Sequence, residues 1–232
     1  MPAEPPTSRA LHRAPELLTV VNVWDAISAK VVADTEGTKA LATASHSIAA
    51  TLGYPDGEKI PVEEMIDMCR RIVETTSLPV SADLEGGYGD APDTVRRAIG
   101  VGVVGANLED QMKPLAEAAA RVEAVMAAAA AEGVLDFVLN ARTDVYAKWR
   151  DRDRGEVLAE AIKRGKAFLD AGAPVVSRPG DPLRGGDRRP RSTPSARSDS
   201  RRSPSPATRR SSASRSSASL AFPTGRCRSG SR

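Results

Sequence analysis

Aromatic side chains are scarce, at 3% of the 232 residues, so a core built from this sequence must rest on Ala, Val, Leu and Ile. Cysteine is nearly absent. Cys69 and Cys227 stand far apart in unlike surroundings, which excludes a disulfide framework and fits a reducing compartment, the cytoplasm. No apolar run reaches membrane-spanning length, and residues 1–15 (MPAEPPTSRALHRAP) lack the apolar centre of a secretion signal, so no membrane partner is expected. Lysine is missing from residues 174–232, which hold 14 Arg and 3 Asp, a net charge of 14 − 3 = +11. Residues 1–173 hold 19 Lys+Arg and 27 Asp+Glu, a net charge of 19 − 27 = −8, so the overall +3 averages two unlike parts.

What is present from Leu17 onward is an alternation of short apolar runs with longer amphipathic ones. LLTVVNVW (17–24) reads as a strand buried on both faces and KALAT (39–43) as a second. Further strands are expected at LPVSAD (78–83), VVGANLE (103–109), DFVLNAR (136–142) and APVV (173–176). Helices are expected between them at 27–35, 62–76, 93–100, 115–133 and 155–172, with Leu158, Ile162 and Phe168 among the apolar positions of the last. The helix at 62–76 has an acidic first turn and an apolar stripe of Val62, Met65, Ile66, Cys69 and Val73. That stripe makes Cys69 a core residue.

Six βα units fit an α/β fold of the (β/α)8 TIM-barrel type that lacks its last two units. A doubly wound open sheet needs a glycine-rich fingerprint in its first strand–helix turn, and WDAIS has no glycine. Polar residues also recur at successive strand ends, which a barrel gathers at one mouth. Residues 1–16 are expected to be a disordered segment, 17–176 the truncated catalytic barrel, and 177–232 a disordered Arg/Ser/Pro-rich tail.

The strand-end polar residues are Asp25, Thr43–Ser45, Asp83–Glu85, Glu109–Asp110 and Arg142–Asp144, and the acidic set drawn from the chain is Asp56, Asp83, Glu85 and Glu109, with Asp110 as a further candidate. In a strand, residues i and i+2 share a face, so Asp83 and Glu85 of SADLEGGYG are expected to point to one place. Several carboxylates converging there repel one another unless a cation sits among them. An oxygen-only set without His or Cys favours Mg2+, or Mn2+, over zinc. Arg142 offers a planar fork to an anionic substrate.

NVWDAISAK, GYPDGE, SADLEGGYGD, NLEDQ and NARTD occur in the order and approximate spacing of the isocitrate lyase/phosphoenolpyruvate mutase superfamily, which the chain resembles over roughly residues 17–173. The resemblance implies an enzyme, a (β/α)8 barrel acting on small 2-oxo or 2-hydroxy acids through a magnesium-stabilised enolate, with cleavage or rearrangement of an adjacent C–C or P–C bond. It implies that Asp83 is the most direct metal ligand and that Glu85, Asp56 and Glu109 complete the metal shell. It gives Arg142 the substrate carboxylate or the developing oxyanion. Arg142 and Glu109 stand as catalytic residues, and Thr43, Ser45, Asp56 and Arg142 as substrate-binding ones. His46, in the same loop as Thr43 and Ser45, reads equally well as a substrate contact or as a residue without a chemical role.

The sequence also departs from the family. Isocitrate and methylisocitrate lyases carry a Cys-containing loop after the fourth strand, and here LEDQMKPLAEAA runs straight into a helix. That argues against those two activities and leaves hydrolases, mutases and lyases of other substituted acids. Ala44 falls where Ser or Gly is common, and the helix at 93–100 looks one turn short. After Ala173 the periodic pattern stops. The Arg/Ser/Pro/Ala/Gly composition that follows cannot bury enough surface to fold alone. Three readings compete for it: a basic tail that binds nucleic acid or another polyanion on a non-catalytic barrel scaffold, a plain extension, or a shifted reading frame. The abrupt break within a strand favours the shifted frame, and with it weak stability and little or no turnover; the resemblance implies a homo-oligomer, an assembly that the truncation disturbs. Salt-sensitive nucleic-acid binding mapping to 174–232 is what only the scaffold reading expects.

Overall fold

The computed structural model of the chain describes residues 8–178. Its elements run α1 (Ser8–Arg13), β1 (Val21–Val23), α2 (Ala26–Ala33), β2 (Leu41–Thr43), α3 (Ser45–Thr51), α4 (Val62–Thr75), β3 (Val80–Asp83), α5 (Ala91–Gly100), β4 (Gly105–Glu109), α6 (Leu115–Ala131), β5 (Val138–Arg142), α7 (Val145–Lys148), α8 (Arg154–Asp170) and β6 (Val175–Ser177). All six expected strands are present. They pair in parallel in the order β1-β2-β3-β4-β5-β6. The order never reverses, as it would at the switch point of a doubly wound sheet, so the winding is that of a (β/α) barrel.

The helices form where apolar spacing and end signals agree. α4 has Glu63 and Glu64 in its first turn and buries Met65, Ile66, Cys69 and Ile72 along one stripe. α6 buries Ala118, Val122, Val125 and Ala129, small residues at three- and four-residue spacing. It ends at Glu132, and Gly133 takes φ +81°, the left-handed conformation that closes helices. Along β3, β4 and β5, Ala82, Ala106, Leu108, Leu139 and Ala141 are buried in the main core, while the alternate residues face the other side.

Four expectations are corrected. Residues Ser8–Arg13 are not disordered: they form α1, with Leu11 buried and Arg9 Nη1 donating to the Leu135 carbonyl at 3.0 Å. A six-residue helix with so little apolar surface leaves no periodic signal. The helix expected at 93–100 begins at Ala91 and runs ten residues, because Asp90 caps it by accepting the Asp93 N–H at 3.0 Å and proline is tolerated in a first turn. β1 is not buried on both faces: Val20, Val21 and Trp24 are each 40–44% exposed and Leu17 is 91% exposed. Leu158 and Ile162 of α8 are about half exposed, and only Phe168 of the three expected core residues is buried. These corrections to burial share one cause. Among the described residues β1 and β6 are sheet edges, and a closed barrel would cover the surface beside each.

The loops at strand ends add two short helices, α3 and α7, that hydrophobic periodicity does not signal. The tail from 179 onward lies outside the described residues, and with it the expected order or disorder of that segment.

Candidate active site

Two layers of polar side chains lie on the inner face of the sheet, and the strand register sets both. Asp83 pairs with Asn107 across β3 and β4, and Asn107 with Asn140 across β4 and β5. Asn107 Nδ2 donates to Asp83 Oδ1 at 2.9 Å, and Asn140 Nδ2 donates to Asn107 Oδ1 at 3.0 Å. The polarity of this ladder follows from the carboxylate, which only accepts, so each amide turns its NH2 toward Asp83. One residue further on but one, Glu109 pairs with Arg142 in the same register. Their side chains meet at 2.6 Å.

Asp83 is held from the other side by the turn after β2. Ser45 Oγ donates to Asp83 Oδ2 at 2.6 Å and the Ser45 N–H at 3.3 Å. Thr43 Oγ1 accepts the Asp83 N–H at 2.8 Å. Both residues expected to hold a substrate anion are therefore committed to Asp83, and both are buried. His46 is exposed and contacts Ser47 Oγ.

Glu85 does not share a strand face with Asp83. β3 ends at Asp83, and Glu85 has φ +50°, a turn conformation. Its carboxylate accepts the Glu58 N–H at 2.7 Å and the Tyr88 hydroxyl at 3.0 Å. Burial raises its pKa above the ordinary carboxylate range, the Tyr88 and Glu58 bonds oppose this, and the charges of Asp56 and Asp83 add to the rise. Asp56 itself is exposed on the loop before α4. Among the described residues no three His, Cys, Asp or Glu side chains gather closely enough to enclose an ion, so the four acids surround a region rather than form a closed ligand shell.

Glu109 carries the largest perturbation among these carboxylates. Burial pushes its pKa up to about 7; Arg142 pulls it down, and Asp144, Asp83 and Glu85 push it further up. Arg142 is shared, since its Nε donates to Asp144 Oδ1 at 2.9 Å. The oxygen-only donors suit a hard divalent cation. Cys69 has no part in this chemistry: burial first, then the Asp83 charge, raise its thiol to about 12.

Several residues were missed by the sequence reading. Asn107 and Asn140 lie at period-two spacing from Glu109 and Arg142, a signal the motifs NLEDQ and NARTD contain. Glu58, at φ +59°, ties three loops by accepting the Tyr88 N–H at 2.6 Å and the Gln111 Nε2–H at 3.0 Å. Arg121 of α6 reaches the carbonyls of Gly86 and Glu109, and burial lowers its pKa. Arg164 is a buried charge with no local sequence signal, whereas Asp144, also buried, was marked by its place at the end of β5.

The family model for phosphoenolpyruvate phosphomutase matches residues 8–184. The chain belongs to that family. It is thereby a member of the isocitrate lyase/phosphoenolpyruvate mutase superfamily of enzymes. It is 30% identical over 186 residues to the isocitrate lyase of Haloferax volcanii, covering 72% of this chain and 51% of that one. A solved protein from Burkholderia cenocepacia J2315, with a provisional phosphonomutase assignment, is 44% identical with a TM-score of 0.68, covering 73% of this chain and 72% of that one. An oxaloacetate acetylhydrolase solved with its product oxalate is 31% identical with a TM-score of 0.64, covering 72% of this chain and 60% of that one. The chain spans about 51–60% of the length of the first curated relatives it matches. No helix among the described residues is long and apolar enough to cross a membrane.

Proposed function

We propose that this site belongs to a Mg2+-dependent lyase, mutase or hydrolase that breaks or rearranges a C–C or P–C bond of a small 2-oxo or 2-hydroxy carboxylic acid. The observation that carries the reading is the Glu109–Arg142 pair in the layer next to that of Asp83 on the inner face, with burial raising the Glu109 pKa. Asp83, with Glu85 and Glu109 close by, would hold the cation; Asp56 joins only if its loop turns inward. A bound Mg2+ would supply positive charge opposite the substrate oxygens on which negative charge builds.

The protein's own groups account for the rest. Arg142 would meet a substrate carboxylate by exchanging its contact with Glu109, since its Nε is fixed by Asp144 and its Nη1 lies against Glu109. With no cation bound, burial raises Glu109 to about 7, which suits it to exchange a proton, whereas a bound cation would favour its ionised form. Thr43, Ser45 and Asn107 orient Asp83 without bringing a competing positive charge.

Thermal unfolding with rising Mg2+ tests this. Binding to the folded state alone raises the melting temperature by mass action. The increase is expected for the full chain and absent for Asp83→Ala. An equal response from both proteins counts against the assignment. Oxaloacetate, phosphonopyruvate and substituted malates are the substrates to assay next, with oxalate as the binding probe.

A further inference from the structure

Helix α8 buries an arginine while leaving leucine and isoleucine exposed. The Arg164 side chain is 6% exposed, whereas Leu158 and Ile162 of the same helix are about half exposed. Val157 and Phe168 give the helix its apolar seat, and the partners of Arg164 add a polar one. Arg164 Nη1 donates to Asp110 Oδ2 at 3.1 Å and to the Lys113 carbonyl at 3.0 Å. Its Nε donates to Glu160 Oε1 at 2.9 Å.

Asp110 passes this anchorage on. Its Oδ1 accepts the Asp144 N–H at 3.0 Å and the Met112 N–H at 2.9 Å. That fixes the start of the turn after β5 against the turn after β4. The Asp144 carboxylate then accepts the Gln111 N–H at 3.0 Å and Arg142 Nε at 2.9 Å. Arg142 Nη1 reaches Glu109 at 2.6 Å. Asp110 and Asp144 are both buried, and a buried carboxylate keeps its charge and place only when paired. Arg142 pairs Asp144, and Arg164 is the ion-pair partner of Asp110 among the described residues.

We propose that Arg164 is a positioning residue for Arg142, acting through Asp110 and Asp144. Arg164 touches none of the reacting groups. It neutralises Asp110, Asp110 holds the Asp144 backbone, and Asp144 clamps one side of the Arg142 guanidinium so that its other side stays directed at Glu109. The seating of α8 is thereby linked to the geometry of the inner face. That Arg142 meets a substrate carboxylate rests on the function proposed above; the tether does not.

The test is nuclear magnetic resonance of the full 15N-labelled chain, reading the Arg142 Nε–H cross-peak, assigned by its loss in Arg142→Lys. In Arg164→Met the amide cross-peaks of the sheet are expected to persist while the Arg142 Nε–H peak is lost to solvent exchange. Arg164→Lys keeps a cation against Asp110 without the fork, so its Nε–H exchange is expected between those of the wild type and Arg164→Met. Should Arg164→Met fail to fold, Arg164→Lys against wild type decides alone. In either variant, an Arg142 peak with wild-type position and exchange rate overturns the tether. Oxalate titration by calorimetry keeps the two proposals apart: a wild-type chain that binds no oxalate counts against the function, and the cross-peak still decides the tether.

Discussion

Glu109 sits between a burial penalty that favours its neutral form and an arginine that favours its charge, and burial prevails. Because its folded pKa of about 7 lies above the unfolded value of 4.5, its contribution to stability is fully present below about 4.5 and is lost as the pH rises through about 7. In metal-free buffer the urea midpoint of the wild type is therefore expected to decline across that window, and the decline should be shallower in Glu109→Gln. Parallel curves would show that Glu109 titrates normally. Cys69 gives a second check. Raised to about 12 and fully enclosed, its thiol should resist a water-soluble thiol reagent until the protein unfolds. Reaction at Cys69 under native conditions, read in a Cys227→Ser background, would place it outside the core. Cys69 was legible in the sequence, since it lies on the apolar stripe of α4. The Arg164–Asp110 pair was not, because 54 residues separate its members and only the packing of α8 joins them.

At the scale of elements, end signals decide more than composition does. Asp153 accepts the Gly155 and Glu156 N–H groups at the start of α8, at 2.8 and 3.3 Å. Asp153→Ala is expected to destabilise the fold by about 1 kcal/mol in urea titration, the usual contribution of such a cap. A much smaller effect would mean that tertiary contacts alone hold that helix end. In the turn after β3, Gly87 has φ +93°, and a Cβ there would lie 2.4 Å from Ala91 Cβ. Gly87→Ala combines backbone strain with that clash and should cost at least about 1–3 kcal/mol. A neutral result would show the α5 start to be more yielding than its packing indicates. The six strands and the long helices were readable from period and spacing. α1, α3 and α7 were not, because short segments carry too few buried positions to set a period.

For the whole molecule, the open question is what covers the two sheet edges. Beside β1 lie the exposed Leu17, Val21, Trp24, Ile27 and Val31; beside β6 a cavity of about 260 Å3 is lined by Thr143, Tyr146, Leu158, Ile162 and Val176, among others. Parallel edges that are unpaired among the described residues and flanked by apolar surface invite pairing with other chains. Self-association that grows with concentration is therefore expected in analytical ultracentrifugation, and Val21→Lys should weaken it. A monodisperse monomer at all concentrations would mean that the edges are already covered. Marginal stability and low turnover are expected for the same reason, since the inner face lacks walls on two sides among the described residues.

Periodicity and end signals in the chain fix the six strands, the long helices between them and the barrel type of winding. Motif order picks out the candidate acids and Arg142. Which acids face one another depends on packing. Strand register set Asp83 beside Asn107 and Glu109 beside Arg142, while a left-handed turn carried Glu85 off the strand face. The commitment of Thr43 and Ser45 to Asp83, and the path from Arg164 to Arg142, likewise depend on contacts between residues distant in sequence. Local pattern records how a segment folds; which charge meets which is fixed when the segments pack.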